Sequence, residues 1–565
     1  MALIAAPWHL HGRPSIQLGC LKAYLEKSDS RIQVKNLHPY LHVAAKLGAP
    51  RYHKIASNMW LSEALFAPLL FPEKKESAER LAEKEARREE ISSFAPHTVT
   101  RLLDQICNAW TEAIDWSSFE LIGFSVCFHQ LLASLSLARK IKARAPASCL
   151  VFGGSSILAG MEDSLRQLAG IDFCINGEGE VPLLDICQQI LAGKIVTESS
   201  GLQPENSFSK PDAAVAPCCD HLQLADLDVL PVPDYADYLT EATAAFGQSS
   251  LAVTLPVEFS RGCWWNKCAF CNLNLQWQGY RRKSALRMQE EILTLSNRHQ
   301  ILDFSFTDNT LPLRESREFF PRIAKTQVDI KFFAELRQEQ AASFDFAMKN
   351  AVQYGIRLQG NIILRFPGSS EQERDETLQN LDYVFSYAPL QHATFFLGHS
   401  SPVYCNPAAY GIRAVTVHPK FASLLPDRVR RKLPLLVCGY RGDQLYQKRL
   451  WQPVQEKIDR WRQYHRQRGC TAAERPLLEY RDGGNFLLIR QEVPDGRTLH
   501  HRLTGISRAL YLFCSAPVTI EKICRRFTSL PKRDLTVFLD ELQRKRLVFK
   551  EVDRYLALAV RQRRD

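Results

Sequence analysis

The sequence predicts an α/β protein with parallel sheets, followed by a smaller α+β domain with a winged-helix-like pattern. Apolar strands alternate with helical segments over residues 1–198 and again over 246–440, and such alternation favours parallel strands covered by helices. After residue 440 the pattern changes to helices and hairpins. The composition, with 45% hydrophobic and 24% charged residues, is that of a globular protein and excludes disordered, collagen-like and coiled-coil classes.

Residues 1–198 form the first predicted domain, a Rossmann-like unit with a helical insertion at about 52–116. Apolar runs predict its strands at 3–6, 32–37, 121–128, 149–152 and 172–176, with helices at 16–25, 131–142 and 181–191. The dense charges of 73–90, with Glu83 and Arg87 at helical spacing, predict an exposed helix within the insertion.

Polar residues and glycines follow three of these strands. Ligands of parallel α/β sheets bind beyond the carboxyl ends of the strands, and glycine lets a ligand approach the backbone. The alternative is that the glycines only form turns. The candidate binding residues are Ser125, His129, Gln130, Gly153, Gly154, Gly177, Glu178, Gly179 and Glu180.

Residues 199–245 are predicted to be a linker, because periodicity is lost and Pro, Ser and Asp become frequent. The range 246–440 then repeats strand and helix five times, which predicts an open or partial β/α barrel. Its strands are expected at 251–259, 301–306, 330–336, 358–366 and 392–397. Three polar residues, Asp308, Glu335 and Arg337, follow barrel strands.

Residues 441–565 form the third predicted domain. The expected elements are a helix at 451–468, a hairpin at 477–490, helices at 506–514, 520–527 and 532–544, and a hairpin at 547–560. Three helices and a terminal hairpin resemble a winged helix, a module that binds DNA, proteins or peptides. No helix here is rich in base-reading residues, so no nucleic-acid partner is expected.

The net charge of +11 comes from 72 Lys and Arg against 61 Asp and Glu. The basic excess suits an acidic partner, although a solvated basic surface is the simpler interpretation. No stretch approaches the ~18–20 apolar residues of a membrane helix, and the N-terminus lacks a basic leader. We therefore expect a cytoplasmic protein without a membrane partner, in which isolated cysteines are small buried hydrophobes.

Cys263, Cys268 and Cys271 form the sharpest motif of the chain. They are spaced Cys-x4-Cys-x2-Cys on a short loop after the first barrel strand. Three thiolates can hold three irons of a [4Fe–4S] cluster and leave the fourth iron open to a substrate or cofactor. Zinc is the rival, but structural zinc sites usually take four protein ligands in paired spacings, and no second pair lies nearby. The spacing favours the cluster.

The chain resembles, almost from end to end, the cobalamin-dependent radical S-adenosylmethionine (SAM) family called RiPP maturation radical SAM protein 1. (RiPPs are ribosomally synthesised and modified peptides.) The shared motifs are the 259–265 opening of the cysteine loop, the strand end with Gly123, Ser125, Phe128 and Gln130, the 177–180 turn, the 401–412 stretch and the terminal 555–560 segment.

The resemblance implies three cofactors: a [4Fe–4S] cluster, SAM and cobalamin. One electron, from a donor such as flavodoxin or ferredoxin, would cleave SAM, and the 5′-deoxyadenosyl radical would abstract a hydrogen from carbon. Methylcobalamin would then supply a methyl group, and a second SAM would remethylate cobalamin. The implied function is a C-methyltransferase acting on a ribosomal peptide. The alternatives are a cyclase or rearrangement enzyme, and a non-catalytic scaffold that binds a peptide or cofactor.

The resemblance also implies roles for single residues. The three cysteines would ligate the cluster, Phe270 would pack beside the cluster and adenine, and Asp308, Glu335 and Arg337 would contact SAM or form salt bridges at the rim. Cobalamin would bind at the strand ends of the first domain. That domain has no Asp-x-His-x-x-Gly motif, so we expect base-off cobalamin with an unliganded or weakly liganded lower face.

The chain departs from the family at two places. The loop has Asn272 where the family has glycine. Between Arg337 and Asn361 there is room for one helix, where the family has two helices and a strand, so the barrel is expected to be one β/α unit short. Either the barrel is reduced to five strands, or the SAM site is altered. The C-terminal domain is expected to hold the peptide, through an acidic leader that matches its basic charge.

Overall fold

A computed structural model describes residues 1–193, 223–247, 251–273, 277, 279–337, 341–469 and 475–562. The chain divides into two compact units. Unit 1 comprises Met1–Leu336, Leu397–Asn406 and Val415–Tyr440, and unit 2 comprises Arg337–Phe396, Pro407–Ala414 and Arg441–Asp565. These units group the chain differently from the predicted ranges 1–198, 199–245, 246–440 and 441–565, which stay predictions. Residues 199–222 of the predicted linker lie outside the described residues.

A five-stranded parallel sheet with the order β2-β1-β3-β4-β5 opens unit 1, as the alternating pattern predicts. Its apolar strands are buried and lie among helices, which is the usual setting of parallel sheets. The elements are β1 (Ala2–Ile4), α1 (Ile16–Ser28), β2 (Lys35–Leu37), α2 (Pro39–Leu47), α3 (Ala49–Ala56), α4 (Met59–Leu70), α5 (Lys75–Arg88), α6 (Pro96–Glu112), β3 (Leu121–Ser125), α7 (Leu131–Arg144), β4 (Cys149–Gly153), α8 (Glu162–Ala169), β5 (Phe173–Cys174) and α9 (Glu180–Leu191).

Helices α3 to α6 occupy the region predicted as a helical insertion, but α5 is not simply exposed. Ala78, Leu81, Ala82 and Ala86 are buried along one face of α5, while the opposite face carries the charges. The high charge density of the sequence hid this apolar stripe, because small alanines supply most of it. The prediction of an exposed helix was therefore wrong for one face of α5.

A second parallel sheet, with the order β10-β9-β6, follows in unit 1. Its segment contains α10 (Ala236–Phe246), β6 (Leu255–Val257), β7 (Ser260–Arg261), β8 (Arg281–Arg282), α11 (Ala285–His299), β9 (Asp303–Phe306), α12 (Leu313–Lys325) and β10 (Lys331–Phe333). Strands β7 and β8 pair antiparallel around the cysteine loop. Helix α10 lies in the range predicted as linker. Its buried Tyr238 and Ala242 join the hydrophobic core of unit 1, and the Tyr238 hydroxyl donates to the His11 carbonyl at 2.7 Å.

The remaining two predicted barrel strands belong to unit 2. There α13 (Ala341–Tyr354), β11 (Asn361–Leu364), α14 (Glu371–Val384) and β12 (Gln391–Thr394) follow one another, and β11 pairs parallel with β12. All five predicted strands form, in one sheet of three and one of two, and a single partial barrel stays a prediction. The described part of the 337–361 interval contains one helix, α13, as the sequence predicts.

A small sheet, with the order β13-β15-β14, lies in unit 1 except for the end residues Ala414 and Arg441, which belong to unit 2. The segment that forms it contains β13 (Leu397–Gly398), α15 (Pro402–Cys405), β14 (Ala414–Val417), α16 (Phe421–Leu424), α17 (Asp427–Arg430) and β15 (Val437–Arg441). The backbone N–H of Val403, in α15, donates to the carbonyl of Ala269 in the cysteine loop at 3.0 Å. This part of the chain therefore supports that loop.

The C-terminal part of unit 2 contains α18 (Gln444–Leu450), α19 (Gln452–Gly469), β16 (Leu478–Asp482), β17 (Phe486–Glu492), β18 (Thr498–Thr504), α20 (Gly505–Phe513), β19 (Val518–Thr519), α21 (Ile520–Arg526), α22 (Lys532–Arg544), β20 (Val548–Glu551), β21 (Arg554–Ala557) and β22 (Val560–Arg561). The three helices α20–α22 and the β20–β21 hairpin form where the sequence predicts them, and the winged-helix-like architecture stays a prediction. Strand β18 was missed, because it is a largely exposed edge strand without apolar alternation.

Among the described residues, no helix combines the length and the apolar character needed to cross a bilayer.

Asp345 of α13 is a buried carboxyl group in unit 2, and one of its oxygens lacks a hydrogen-bond partner among the described residues. Burial, and secondarily the charge of Glu551, raises the pKa of Asp345 to about 8. A carboxyl group with a raised native pKa binds its proton more tightly when folded. Stability then falls as pH rises from the unfolded-state pKa toward 8, by up to about 1.4 kcal/mol per pH unit.

We expect Asp345→Asn to remove this loss. Urea unfolding at pH 5 and pH 8.5 should show a difference between wild type and Asp345→Asn that grows with pH, with the variant more stable at pH 8.5. Asp495→Asn, at an exposed position paired with Arg497, is the matched control and should show no such growth in favour of the variant. Equal pH dependence in wild type and Asp345→Asn would contradict the assignment.

Candidate functional site

A cavity of about 200 Å³ in unit 1 lies at the carboxyl ends of strands from both parallel sheets. One wall comes from α1 and the ends of β3, β4 and β5. The other wall comes from the segments that follow β6 and β9, including the residues just before the first loop cysteine. Seven of the predicted binding residues line this cavity: Ser125, Gly153, Gly154, Gly177, Glu178, Gly179 and Glu180.

His129 and Gln130 do not line this cavity, although the sequence grouped them with it. The buried Gln130 amide accepts from the Cys127 N–H at 2.8 Å and donates to the Ala6 carbonyl at 2.7 Å, so it fixes the loop after β3. His129 borders a separate, smaller cavity, with Nδ1 3.0 Å from the Ala56 carbonyl oxygen. Burial lowers the pKa of His129, which favours the neutral ring.

Arg261 connects the turn after β5 to the start of the cysteine loop. Its guanidinium lies 3.0 Å from a carboxylate oxygen of Glu178 and 2.6 Å from one of Glu180, and its Nε donates to Glu258 at 3.0 Å. The Arg261 side chain is only 5% exposed. The carboxylates of Glu178 and Glu180 therefore contact Arg261 inside the protein, while the neighbouring glycines form the cavity surface.

The charge of Arg261 determines how Glu180 titrates. Burial by itself would raise the pKa of Glu180, but the adjacent guanidinium outweighs burial and lowers that pKa. The pKa of Glu258 is instead raised, because the effect of burial on this carboxyl group is larger than the opposing effect of Arg261. Sequence reasoning missed both Arg261 and Glu258. The available signal was the arginine placed two residues before Cys263.

The ion pairs continue away from the cavity into β8 and α11. Arg281 contacts Glu178, and the ammonium group of Lys283 lies 2.7 Å from Glu291, where both side chains are almost fully buried. Arg287 reaches the same carboxylate at 3.5 Å. The ion pairs form two groups with four cations and four carboxylates in all: Arg261 and Arg281 with Glu178, Glu180 and Glu258, and Lys283 and Arg287 with Glu291. Balanced charge makes this much burial tolerable.

The three loop cysteines are partly buried and form no disulfide. Their types and spacing fit the ligand set of an iron–sulfur cluster. No three His, Cys, Asp or Glu side chains within the described ranges stand in an arrangement that could hold a metal ion, so the sulfurs would have to converge when a cluster binds. Phe270, predicted to pack beside the cluster, is partly buried on the same loop.

Asp308 supports the strand that leads into the loop. Its carboxylate accepts from the Phe259 N–H at 3.0 Å and from the Ser260 hydroxyl at 2.5 Å. Burial raises the pKa of Asp308 to about 7. The roles of the other two predicted SAM contacts stay predictions. Glu335 is exposed in unit 1, and Arg337 is partly buried in unit 2.

The cavity offers a partial fit to a corrinoid. Its glycine-rich edge allows close approach to the backbone, although Gly154 has a packing reason of its own. A Cβ there would lie 2.7 Å from the Val126 carbonyl oxygen. The volume of about 200 Å³ is below the roughly 300–1,000 Å³ of typical ligand sites, so a corrinoid would extend beyond it.

The chain is similar in sequence to proteins with two kinds of named activity. It is 26% identical over 318 residues to an uncharacterized methyltransferase of Pyrococcus horikoshii, which covers 47% of this chain and 65% of that protein. It is 22% identical over 252 residues to the anaerobic magnesium-protoporphyrin IX monomethyl ester cyclase of Synechocystis, which covers 44% of this chain and 47% of the cyclase. The chain thus matches less than two thirds of either relative.

A solved structure of the cobalamin-dependent S-adenosylmethionine radical enzyme OxsB, with aqua-cobalamin and S-adenosylmethionine bound, also shows similarity. The TM-score is 0.39 at 15% identity, over 70% of this chain and 48% of OxsB. No protein-family model matches the chain.

Proposed function

We propose that this chain is a cobalamin-dependent radical SAM enzyme that methylates a carbon of a ribosomally synthesised peptide. The observation that supports this most is the two-sided cavity. The strand ends proposed to bind cobalamin and the residues leading into the cysteine loop line the same space. A methyl donor and a radical-generating centre must reach the same substrate carbon, so a shared cavity suits this chemistry.

In this proposal each side of the cavity holds one cofactor. Cys263, Cys268 and Cys271 hold the cluster, and the glycine edge of the first sheet accepts the corrinoid. When bound, these groups supply an electron for SAM cleavage and a methyl group for transfer. The chain itself positions them: Arg261 holds the loop against the turn after β5, and Asp308 fixes the backbone at 259–260.

Methyl transfer is preferred because the first of the relatives described above is named a methyltransferase. Cyclisation is the second candidate, favoured by the similarity to the Synechocystis cyclase and by a 23% identical cyclase of Rubrivivax gelatinosus. The peptide substrate is proposed from the motif resemblance and from the basic C-terminal part of the chain, which would bind an acidic leader of that peptide. The proposed electron donor is a flavodoxin or ferredoxin.

Anaerobic reconstitution with iron, sulfide and hydroxocobalamin tests the cofactor set. Wild type should retain about four irons and one corrinoid per chain. The variant with Cys263, Cys268 and Cys271 replaced by Ala should lose the iron. Cys524→Ala, at a partly buried cysteine in α21, is the matched control and should keep it. Bound zinc, or no metal and no corrinoid, would leave a non-catalytic scaffold.

Incubation of the loaded protein with SAM and a reductant distinguishes the two activities. Both methyl transfer and cyclisation begin with radical cleavage of SAM, so formation of 5′-deoxyadenosine would support either activity. Methyl transfer predicts a peptide that has gained one methyl group, with label from methyl-labelled SAM. Cyclisation predicts a product without that label. Absence of 5′-deoxyadenosine from cluster-loaded protein would contradict both activities.

A further inference from the structure

Five cations lie close together in sequence at the connection between α21 and α22 in unit 2. Lys522, Arg525 and Arg526 have the i, i+3, i+4 spacing of one helix face, and Lys532 and Arg533 begin the next helix. All five are exposed. Within the described residues, none of the five forms an ion pair.

Other cations of unit 2 do have carboxylate partners. Arg508 pairs with Asp482 at 2.7 Å, and Lys545, at the far end of α22, pairs with Glu541 at 2.6 Å. By contrast, the 520–534 segment has five cations and only two carboxylates. The 520–534 segment therefore carries an excess of three positive charges without ion-pair partners among the described residues, within a C-terminal part of the chain that is basic as a whole.

The position of two of these cations raises their electrostatic cost. Lys532 and Arg533 occupy the first turn of α22, where the helix dipole already places positive partial charge and the single carboxylate of Asp534 offsets only part of it. Pro531 precedes them and provides no side-chain cap. An anionic group bound here would be attracted by the cations and by the free N–H groups of the helix end together.

Apolar groups adjoin the cations. Val537 is 58% exposed and lies four residues after Arg533, on the same face of α22. Phe527, at the end of α21, has its ring 5.7 Å from that of the partly exposed Phe513, and the Arg526 guanidinium lies 5.9 Å from the Phe527 ring. A partner therefore meets both positive charge and apolar surface.

The far end of α22 argues against nucleic acid. Asp540 and Glu541 follow Val537 by three and four residues, so this helix face changes from basic to apolar to acidic within three turns. Phosphates running along the helix would meet carboxylates after the first turn. A short acidic segment that also carries apolar residues matches the face better.

We propose that the basic–apolar surface formed by Lys522, Arg525, Arg526, Lys532, Arg533 and Val537 docks an acidic peptide segment with interspersed apolar residues. This inference rests on the proposed function in one respect only: the segment would belong to the peptide substrate. The contact is charge-based at a solvent-exposed surface, so its affinity should fall as salt rises.

The test uses the full chain and a fluorescent synthetic peptide of alternating Glu and Leu residues, measured by anisotropy. Binding at about 50 mM salt should weaken strongly at about 300 mM salt. The combined variant Arg525→Gln, Lys532→Gln, Arg533→Gln should bind about tenfold more weakly. The matched control Arg374→Gln, Arg497→Gln, Lys545→Gln removes three paired cations of the same unit and should change affinity less than about twofold.

Three results would overturn the docking proposal. The first is the absence of salt-sensitive binding, and the second is an equal loss of affinity in both triple variants. The third is tighter, variant-sensitive binding of a DNA duplex of matched length, which would assign the surface to nucleic acid. Iron and corrinoid loading should be the same in wild type and both variants. Failure of wild type to load cofactors, with peptide binding intact, would refute the proposed function and leave the docking surface standing.

Discussion

Arg261→Ala is expected to destabilise unit 1 by about 3–5 kcal/mol and to abolish stable loading of both cofactors. The substitution leaves Glu178, Glu180 and Glu258 without their shared guanidinium, and removal of one partner of a buried ion pair is costly at this scale. The carboxylates would take up protons or draw in water, and either change would separate the turn after β5 from the cysteine loop. Denaturant unfolding and iron and corrinoid analysis measure the two effects.

Two further variants separate a specific role of Arg261 from general charge loss. Arg282→Ala removes the neighbouring arginine, which is 42% exposed and pairs with Glu315 at 2.5 Å, and should cost less than about 1 kcal/mol. Arg261→Lys keeps the charge but lacks the planar guanidinium that contacts several carboxylates at once. Its stability and cofactor content should therefore lie between those of Arg261→Ala and Arg282→Ala. Equal stability and equal cofactor content of Arg261→Ala and Arg282→Ala would refute the role given to Arg261.

The parallel sheets could be predicted from sequence because their strands are short apolar runs between helices. Strand β4, for example, is a continuous apolar segment that ends in Gly153. Its own residues therefore indicate both that the strand is buried and that a turn follows it. Strand β18 could not be predicted in this way. It pairs with β17 through its backbone, and its side chains are mostly exposed, so its periodicity carries little information.

The candidate site likewise combines features that the local sequence indicates with contacts between residues far apart in the sequence. The cysteine spacing and the strand-end glycines are local features, and the sequence identified them. The partners of Glu178 and Glu180 are not local: Arg261 lies 81 residues after Glu180. Nothing in the spacing of a glutamate indicates which distant cation it meets, so these residues were expected to bind a ligand directly. Support of the loop by Val403 was missed for the same reason.

Gly262→Ala is expected to prevent cluster loading while the remainder of unit 1 stays folded. Gly262 has a φ of 83°, and a Cβ at this position would lie 2.3 Å from the carbonyl oxygen of Gly279 on the paired segment. The clashing atom belongs to the backbone, so it cannot turn away as a side chain would. Strands β7 and β8 would have to separate, and Cys263, the next residue, would move with them. Iron content after reconstitution, with circular dichroism as the folding check, measures this outcome.

Gly279→Ala provides the matched comparison because Gly279 shares the positive φ of Gly262 but not its close approach to another backbone atom. Gly279 also has a positive φ, 72°, but a Cβ there meets nothing within 4 Å. Its replacement costs only the left-handed conformation of a residue with a side chain, about 1–2 kcal/mol. Gly279→Ala should therefore keep most of its iron. If both variants lose iron equally, backbone strain explains the effect, and the close approach of the two strands at Gly262 is not what holds the loop in place.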